Sequence, residues 1–155
     1  MRPRKIISGG QSGADLGGLR AAEALGIATG GAMPRGFRTE AGPRPNYAER
    51  FGMHETSSSS YQSRTRQNVI DSDGTVIFGG PLLAGGSLLT KRLCDDLEKP
   101  CLILDFPAVN DQRERFTDWL ASHPIEVLNV AGNRESQSPE IEVFVFQFLV
   151  TALKT

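Results

Sequence analysis

Cysteine and histidine are scarce: Cys94, Cys101, His54 and His123 are all that 155 residues contain. The cysteines form no CxxC, and neither histidine has a cysteine, histidine or acid at ligand spacing, so the pattern indicates no metal site. A reduced, cytoplasmic protein is the expectation. Excess charge is lacking too. The 17 Lys and Arg against 18 Asp and Glu leave a net charge of −1, which argues against a general nucleic-acid binder. No apolar run approaches the ~20 residues that cross a bilayer. The basic N-terminus passes directly into a short strand, without a secretory pattern. No Ser/His/acid or Cys/His set for nucleophilic catalysis can be argued. The remaining composition, 39% hydrophobic and 23% charged, is that of one globular domain over residues 1–155, long enough to bury a core.

Glycine, by contrast, is plentiful, with 17 residues, and it is clustered. The opening stretch KIISGGQSGAD holds an apolar strand (Ile6, Ile7), then Gly9, Gly10, Gln11, Ser12 and Gly13, then an alanine-bearing helix from Ala14. Glycine admits unusual φ/ψ angles and close backbone approach. The following helix turns its unpaired N–H groups and positive dipole end into the loop. That arrangement suits a phosphate or another oxyanion. The spacing is not GxGxxG, and no acid follows at the distance expected for a ribose, so a plain tight turn is the competing reading. Asp15 either caps its helix or reads a ligand donor.

Strand and helix patterns alternate along the rest. Residues 14–26 predict a helix, with Gly17 and Gly18 at mid-helix, where each costs about 1 kcal/mol against alanine unless something packs close. A short strand over 27–31 ends at Gly30 and Gly31. Residues 33–60 read as mostly irregular, with prolines and a serine run. Between Gly30 and Arg66, six arginines (35, 38, 44, 50, 64 and 66) face three acids (40, 49 and 55). The basic stretch serves either as a solvated surface or, if it folds over the glycine turn, as an anion reader. Helices are expected at 61–72, 87–97 and 110–122, and buried strands at 75–78, 100–106 and 125–131. Ser138 and Pro139 suit the cap and first turn of a closing helix to Leu153. That helix is apolar on more than one face, which a subunit interface explains; the same residues also alternate well enough for a strand. Short apolar strands between helices indicate a parallel sheet covered on both faces, with the ligand outside the strand carboxyl ends. Gly9, Gly31, Gly80, Asp105 and the stretch from Asn129 to Arg134 all fall there.

Gly80 to Ser87 nearly matches the phosphate loop GxxxxGK[ST], but Gly86 stands where lysine is needed to reach the β- and γ-phosphates. ATPase chemistry is not expected. An anion cradle of backbone N–H groups at Gly80, Gly85, Gly86 and Ser87 is. Asp71-Ser72-Asp73-Gly74 has its glycine misplaced for a calcium loop and reads as a helix-ending turn.

Taken in order, KIISGGQSGAD, GGAMPRG with Glu40-Ala41-Gly42, ETSSSSYQSRTRQNVIDSDGTVI, GGS and LNVAGNRES resemble the candidate molybdenum cofactor carrier proteins. These are Rossmann-like relatives of the cytokinin-activating, lysine-decarboxylase-like phosphoribohydrolases. The resemblance implies an α/β, Rossmann-like three-layer sandwich with a mainly parallel sheet of about five or more strands. It also implies a homodimer or homotetramer holding an anionic small molecule, with molybdenum cofactor or a nucleotide-like ligand as cargo and no dedicated metal site. By position, Gly10, Gln11, Ser12 and Gly13 would form a first anion loop. Arg35, Gly36, Arg64, Thr65 and Asn68 would come from the basic stretch. Gly85, Gly86 and Ser87 would form a second loop, and Asn129, Gly132, Arg134 and Glu135 would close the edge. Leu16 stands where the family tends to have arginine. Lys91 and Arg92 occupy the region where the hydrolase branch needs an acid. A carrier is therefore expected over a nucleoside 5′-monophosphate phosphoribohydrolase, which needs that carboxylate; a scaffold role is the third reading.

Overall fold

The computed structural model describes residues 2–155. Its elements are β1 (Lys5–Ile7), α1 (Ala14–Leu25), β2 (Ala28–Met33), α2 (Tyr47–Phe51), β3 (Met53–Glu55), α3 (Tyr61–Asp71), β4 (Gly74–Gly80), α4 (Gly85–Asp96), β5 (Cys101–Asp105), α5 (Arg113–Ser122), β6 (Val127–Gly132) and α6 (Ile141–Leu153). The strands form one sheet in the order β3-β2-β1-β6-β4-β5, and every pairing is parallel. The last strand of the chain is thus seated beside the first. This is the expected Rossmann-like α/β sandwich.

Alternation along the central strands sorts their side chains to two faces. Ile6, Val76, Phe78, Leu104, Leu128 and Val130 join the main core with residues of α1, α5 and α6. The other face carries Thr75 and Asn129, whose amide nitrogen donates to the Thr75 hydroxyl at 3.2 Å, and lies beneath α3 and α4. A polar pair inside a parallel sheet is unusual, and it marks the side on which the site is built.

The α1 glycines are explained by close packing. A Cβ on Gly18 would lie 2.7 Å from Val130 Cβ, and one on Gly17 would lie 2.6 Å from the Glu142 carbonyl oxygen. Removing both side chains lets α1 sit tightly on β6 and α6. The Arg20–Glu142 pair, at 2.7 Å, then ties the helix rims together.

Several expectations need correction. Residues 33–60 are mostly irregular, as expected, but they also contain α2 and edge strand β3, which pairs with β2 from Gly31 to Met33. Three residues are too short to show period-2 patterning, so the strand was hidden in the sequence. The closing element is a helix rather than a strand, but it starts at Ile141. Its N-cap is Glu140 in a left-handed conformation, not the Ser138-Pro139 pair. Pro139 falls in the preceding turn, and Ser138 accepts from the Asn133 amide at 3.1 Å. The second loop is shorter than expected, since β4 reaches Gly80 and α4 begins at Gly85. Of the apolar residues expected to face outward or a partner on α6, Leu153 is buried, Phe146 and Val150 are partly buried, and Val143 is 51% exposed.

Close strand-to-loop packing gives one prediction. Gly31 has φ +131°, and a Cβ there would collide with the Ser8 backbone. Gly31→Ala should cost at least about 3 kcal/mol in chemical denaturation. Gly26→Ala, at φ +72° with nothing within 4 Å, should cost only about 1 kcal/mol, the ordinary left-handed penalty.

Candidate functional site

β1 leads through α1 to β2 in one half of the sheet, whereas β4, on the far side of β6, leads through α4 to β5 in the other. Such a switch point opens a crevice. Here the crevice is lined by Gly9, Gln11 and Asp15 from the first turn and α1, and by Arg64, Thr65 and Asn68 from α3. Gly86, Ser87 and Thr90 of α4 form another wall, with residues 129–134 and Gln137 completing it. About 70 Å³ of the cleft is open to water, which holds a few waters or one oxyanion group.

Arg64 dominates the electrostatics. Only 8% of the residue is exposed. Its Nη1 donates to the Gly9 carbonyl at 2.5 Å and its Nε to the Thr65 hydroxyl at 3.2 Å. The nearest carboxylate oxygen, Asp15 Oδ2, is 3.9 Å away, beyond a hydrogen bond. Burial lowers the Arg64 pKa, and Asp15 offsets this in part. Two more guanidiniums gather at the same place. Arg38, Arg64 and Arg134 lie 4.2, 5.2 and 5.5 Å from the centre of the Tyr61 ring, a negative face that tolerates cations.

Asp15 is buried as well. Its Oδ2 accepts from the Gln11 backbone N–H at 3.3 Å. Burial raises its pKa to about 6, with Arg64 and Arg134 and the backbone of Gln11 and Gly9 opposing. Gln11, 5% exposed, uses its carbonyl to accept from the Ser12 and Glu40 backbone N–H groups at 3.0 and 2.8 Å. Its amide nitrogen is buried and has no hydrogen-bond partner among the described residues. A buried unpaired donor is costly, and this one belongs to a residue that lines the cleft.

The basic segment does fold over the glycine turn, but through an acid. The Glu40 carboxylate accepts from the Ser12 hydroxyl and from Ser136, whose hydroxyl lies at 2.5 Å and backbone nitrogen at 3.2 Å. It also lies 3.9 Å from Arg134. Glu40 therefore clamps the 39–42 turn across the first and last loops.

Most expected residues are brought together and some are not. Gly9, Gln11, Asp15, Arg64, Thr65, Asn68, Gly86, Ser87, Asn129, Gly132 and Arg134 line one cleft. Gly10, Ser12 and Glu135 line a neighbouring hollow under the 39–42 turn. Gly13 packs on the backbone of Asn133 to Glu135, and Gly80 packs on Ile103. Arg35 and Gly36 are exposed in a turn, where the Glu55 carboxylate takes the Gly36 N–H at 2.6 Å. Gly85 heads α4 with open space around it, as does Gly86.

Roles differ within the cleft. The first-loop glycines chiefly make room for protein: a Cβ on Gly9 would collide with the Arg64 guanidinium, and one on Gly10 would lie 2.8 Å from the Met33 methyl. Asn68 holds α3 to β2 by pairing both ways with the Ala32 backbone, at 2.8 and 3.0 Å. Glu135 caps α6, accepting from the Glu140 and Glu142 N–H groups at 2.6 and 3.1 Å. Thr90 and Gln137 are cleft residues that sequence reasoning missed, and Asn133 was placed at the strand ends only as part of a stretch, without a role of its own. Asn133 accepts from the Ser87 hydroxyl at 2.8 Å and seats on Gly79, whose φ is +141°. That glycine next to Gly80 was the available signal.

Comparison with known proteins agrees with this architecture. The model of the circularly permutated YpsA SLOG family matches residues 6–153. The chain belongs to that family. The seat of β6, last in the chain yet beside β1, fits the permuted connectivity of this SLOG family. A crystal structure of a candidate molybdenum carrier protein from Syntrophus aciditrophicus SB is similar, with 39% identity and a TM-score of 0.91. The match covers 99% of this chain and 96% of that one. No curated protein matches.

The buried acid gives a stability prediction for this SLOG-family chain. A folded-state pKa near 6 against 3.8 unfolded means the native state holds the extra proton between those values. Stability therefore falls as pH rises through that window. Asp15→Asn should raise the unfolding free energy at pH 7.5 by up to about 3 kcal/mol. The gain should vanish near pH 4 in urea melts.

Proposed function

We propose that the protein binds a phosphorylated small molecule through an oxyanion held in the cleft, and acts as a carrier. The observation that carries this reading is the unpartnered Gln11 amide, in a cleft that also holds Arg64, Arg134 and the first turn of α4. Each is a donor or a positive charge. An anion there would accept from Gln11, neutralise a poorly paired guanidinium, and meet the free N–H groups of Gly86 and Ser87. The helix end alone would be weak support; the stranded donor beside it points to a missing acceptor.

The finer reading is that the cargo is molybdenum cofactor or a related nucleotide-like molecule. Support comes from the 39% identical relative described as a candidate molybdenum carrier. The chemistry fits in part: about 70 Å³ open to water takes one oxyanion group and leaves a fused ring system at the mouth. We further propose that residues 1–155 act as one cytoplasmic domain that self-associates as a homodimer or homotetramer, with the outer stripe of α6 (Val143, Phe146, Val150) at the contact. Among the described residues no helix is long and apolar enough to cross a membrane.

A phosphoribohydrolase is the second reading, favoured by one observation: Asp15 supplies the cleft with a carboxylate whose pKa of about 6 suits acid–base work. It comes from α1 rather than from the segment after the second loop. Incubation with nucleoside 5′-monophosphates should release no free base by chromatography; sustained release would favour the hydrolase.

Binding itself is tested with a phosphate monoester in calorimetry. Arg64→Ala or Arg134→Ala should weaken affinity at least about tenfold and flatten its salt dependence. Gly86→Val, at a position with free space around it, should block binding while leaving the melting temperature nearly unchanged. Affinity untouched by all three changes would refute the site.

A further inference from the structure

We propose that the cleft takes its phosphate together with one proton, shared between the ligand and Asp15. This rests on the anion reading of the same cleft and goes further by naming the ionic form of the bound group. The argument starts from what lines the cleft. Arg64 and Arg134 are cations, Gln11 offers an amide donor, and α4 offers backbone N–H groups. Asp15 is the exception, a buried carboxylate among donors. Its Oδ2 has one backbone donor, Gln11 N–H at 3.3 Å, and Arg64 only at 3.9 Å. Such a carboxylate has acceptor capacity to spare.

A phosphate dianion has acceptors only. Placed beside an ionised Asp15, it would set two acceptors and two negative charges against each other at a buried carboxylate, where repulsion is poorly screened. One proton between them removes the clash and makes a charge-assisted O–H···O bond. The groups facing Asp15 decide whether the proton is available. From α3 it faces Arg64, from the segment after β6 it faces Arg134, and from the first turn it faces the backbone of Gly9 and Gln11. α4 and β6 present Gly86, Ser87, Thr90 and Asn129, none of them ionisable. Both cations oppose protonation, yet burial outweighs them and already holds the free carboxyl at a pKa of about 6. An arriving anion engages the same cations and pushes Asp15 further toward the protonated form. A phosphate monoester, with a second pKa of about 6, is equally ready to keep the proton, so either oxygen can carry it.

The test uses the full chain and phenyl phosphate at pH 8, where ligand and Asp15 are both ionised when apart. Calorimetry in two buffers of different ionisation enthalpy gives the protons taken up per ligand bound. Uptake close to one proton is expected, with Kd rising about tenfold per pH unit from pH 7 to 9. Asp15→Asn should bind with uptake near zero and a flat pH profile. Binding by the unaltered protein without proton uptake overturns the inference while the anion site stands. Uptake unchanged in Asp15→Asn overturns the assignment to Asp15. Absence of any binding overturns both readings. Should Asp15→Asn fail to fold, the pH profile of the unaltered protein decides alone: a tenfold slope supports the shared proton and a flat line sinks it.

Discussion

A guanidinium with 8% of its residue exposed sits at the switch point of the sheet, and no carboxylate oxygen is within hydrogen-bond distance of it among the described residues. Burying such a charge costs several kcal/mol unless it is well paired. Here the pairing is partial: one carbonyl, one hydroxyl, an aromatic face and a carboxylate at 3.9 Å. Much of the surrounding structure follows from holding Arg64 there. Gly9 lacks a side chain because the guanidinium occupies that space. Asn68, one turn further along α3, pins the helix to the backbone of β2 and so fixes where Arg64 can reach. The carboxylate of Asp15 is buried at a cost to stability, and its nearest opposite charge is this arginine.

Two clamps keep the rim in place. Glu40 draws the 39–42 turn onto Ser12 and Ser136, so the first loop and the last loop are held by one carboxylate. Glu135 caps α6 with both oxygens, which fixes the chain directly after Arg134. These acids balance the basic segment without entering the cleft. Arg134 and Arg38 stay close to Arg64 because Tyr61 offers them a shared ring. The three cations therefore lie together against two partial counter-charges, Asp15 and Glu40, an imbalance on which the proposed anion binding rests.

The sheet and most of its helices were legible in the sequence because strong apolar runs such as Val76 to Phe78 and Leu102 to Leu104 repeat between helical stretches. Convergence of the glycine loops was also legible, since parallel connectivity forces strand carboxyl ends to one edge. What individual glycines do was not. Gly9, Gly10 and Gly13 each make room for another part of the chain, and Gly9 also lines the cleft. That depends on contacts from Arg64, Met33 and Asn133, distant in sequence. Edge strand β3 escaped notice because Met53 to Glu55 is too short for periodicity. Ser138 and Pro139 carry the local signature of a helix start, but the Glu135 carboxylate moves the start to Ile141. The Glu40 clamp is a single acid in a basic loop and has no local pattern at all.

The proposed carrier role needs groups that hold a cargo without doing chemistry on it, and a cleft of mixed donors on a sheet edge suits that task. Among the described residues the Gln11 amide nitrogen has no hydrogen-bond partner, and the carboxylate oxygen nearest Arg64 is 3.9 Å away. Diffraction from crystals grown with a phosphate monoester tests this most directly. The account predicts phosphate oxygens within hydrogen-bond distance of Gln11 Nε2 and the Gly86 backbone nitrogen, beside Arg64. A cleft filled by water alone, with the Gln11 amide turned to a protein acceptor and the ligand bound elsewhere, would contradict it.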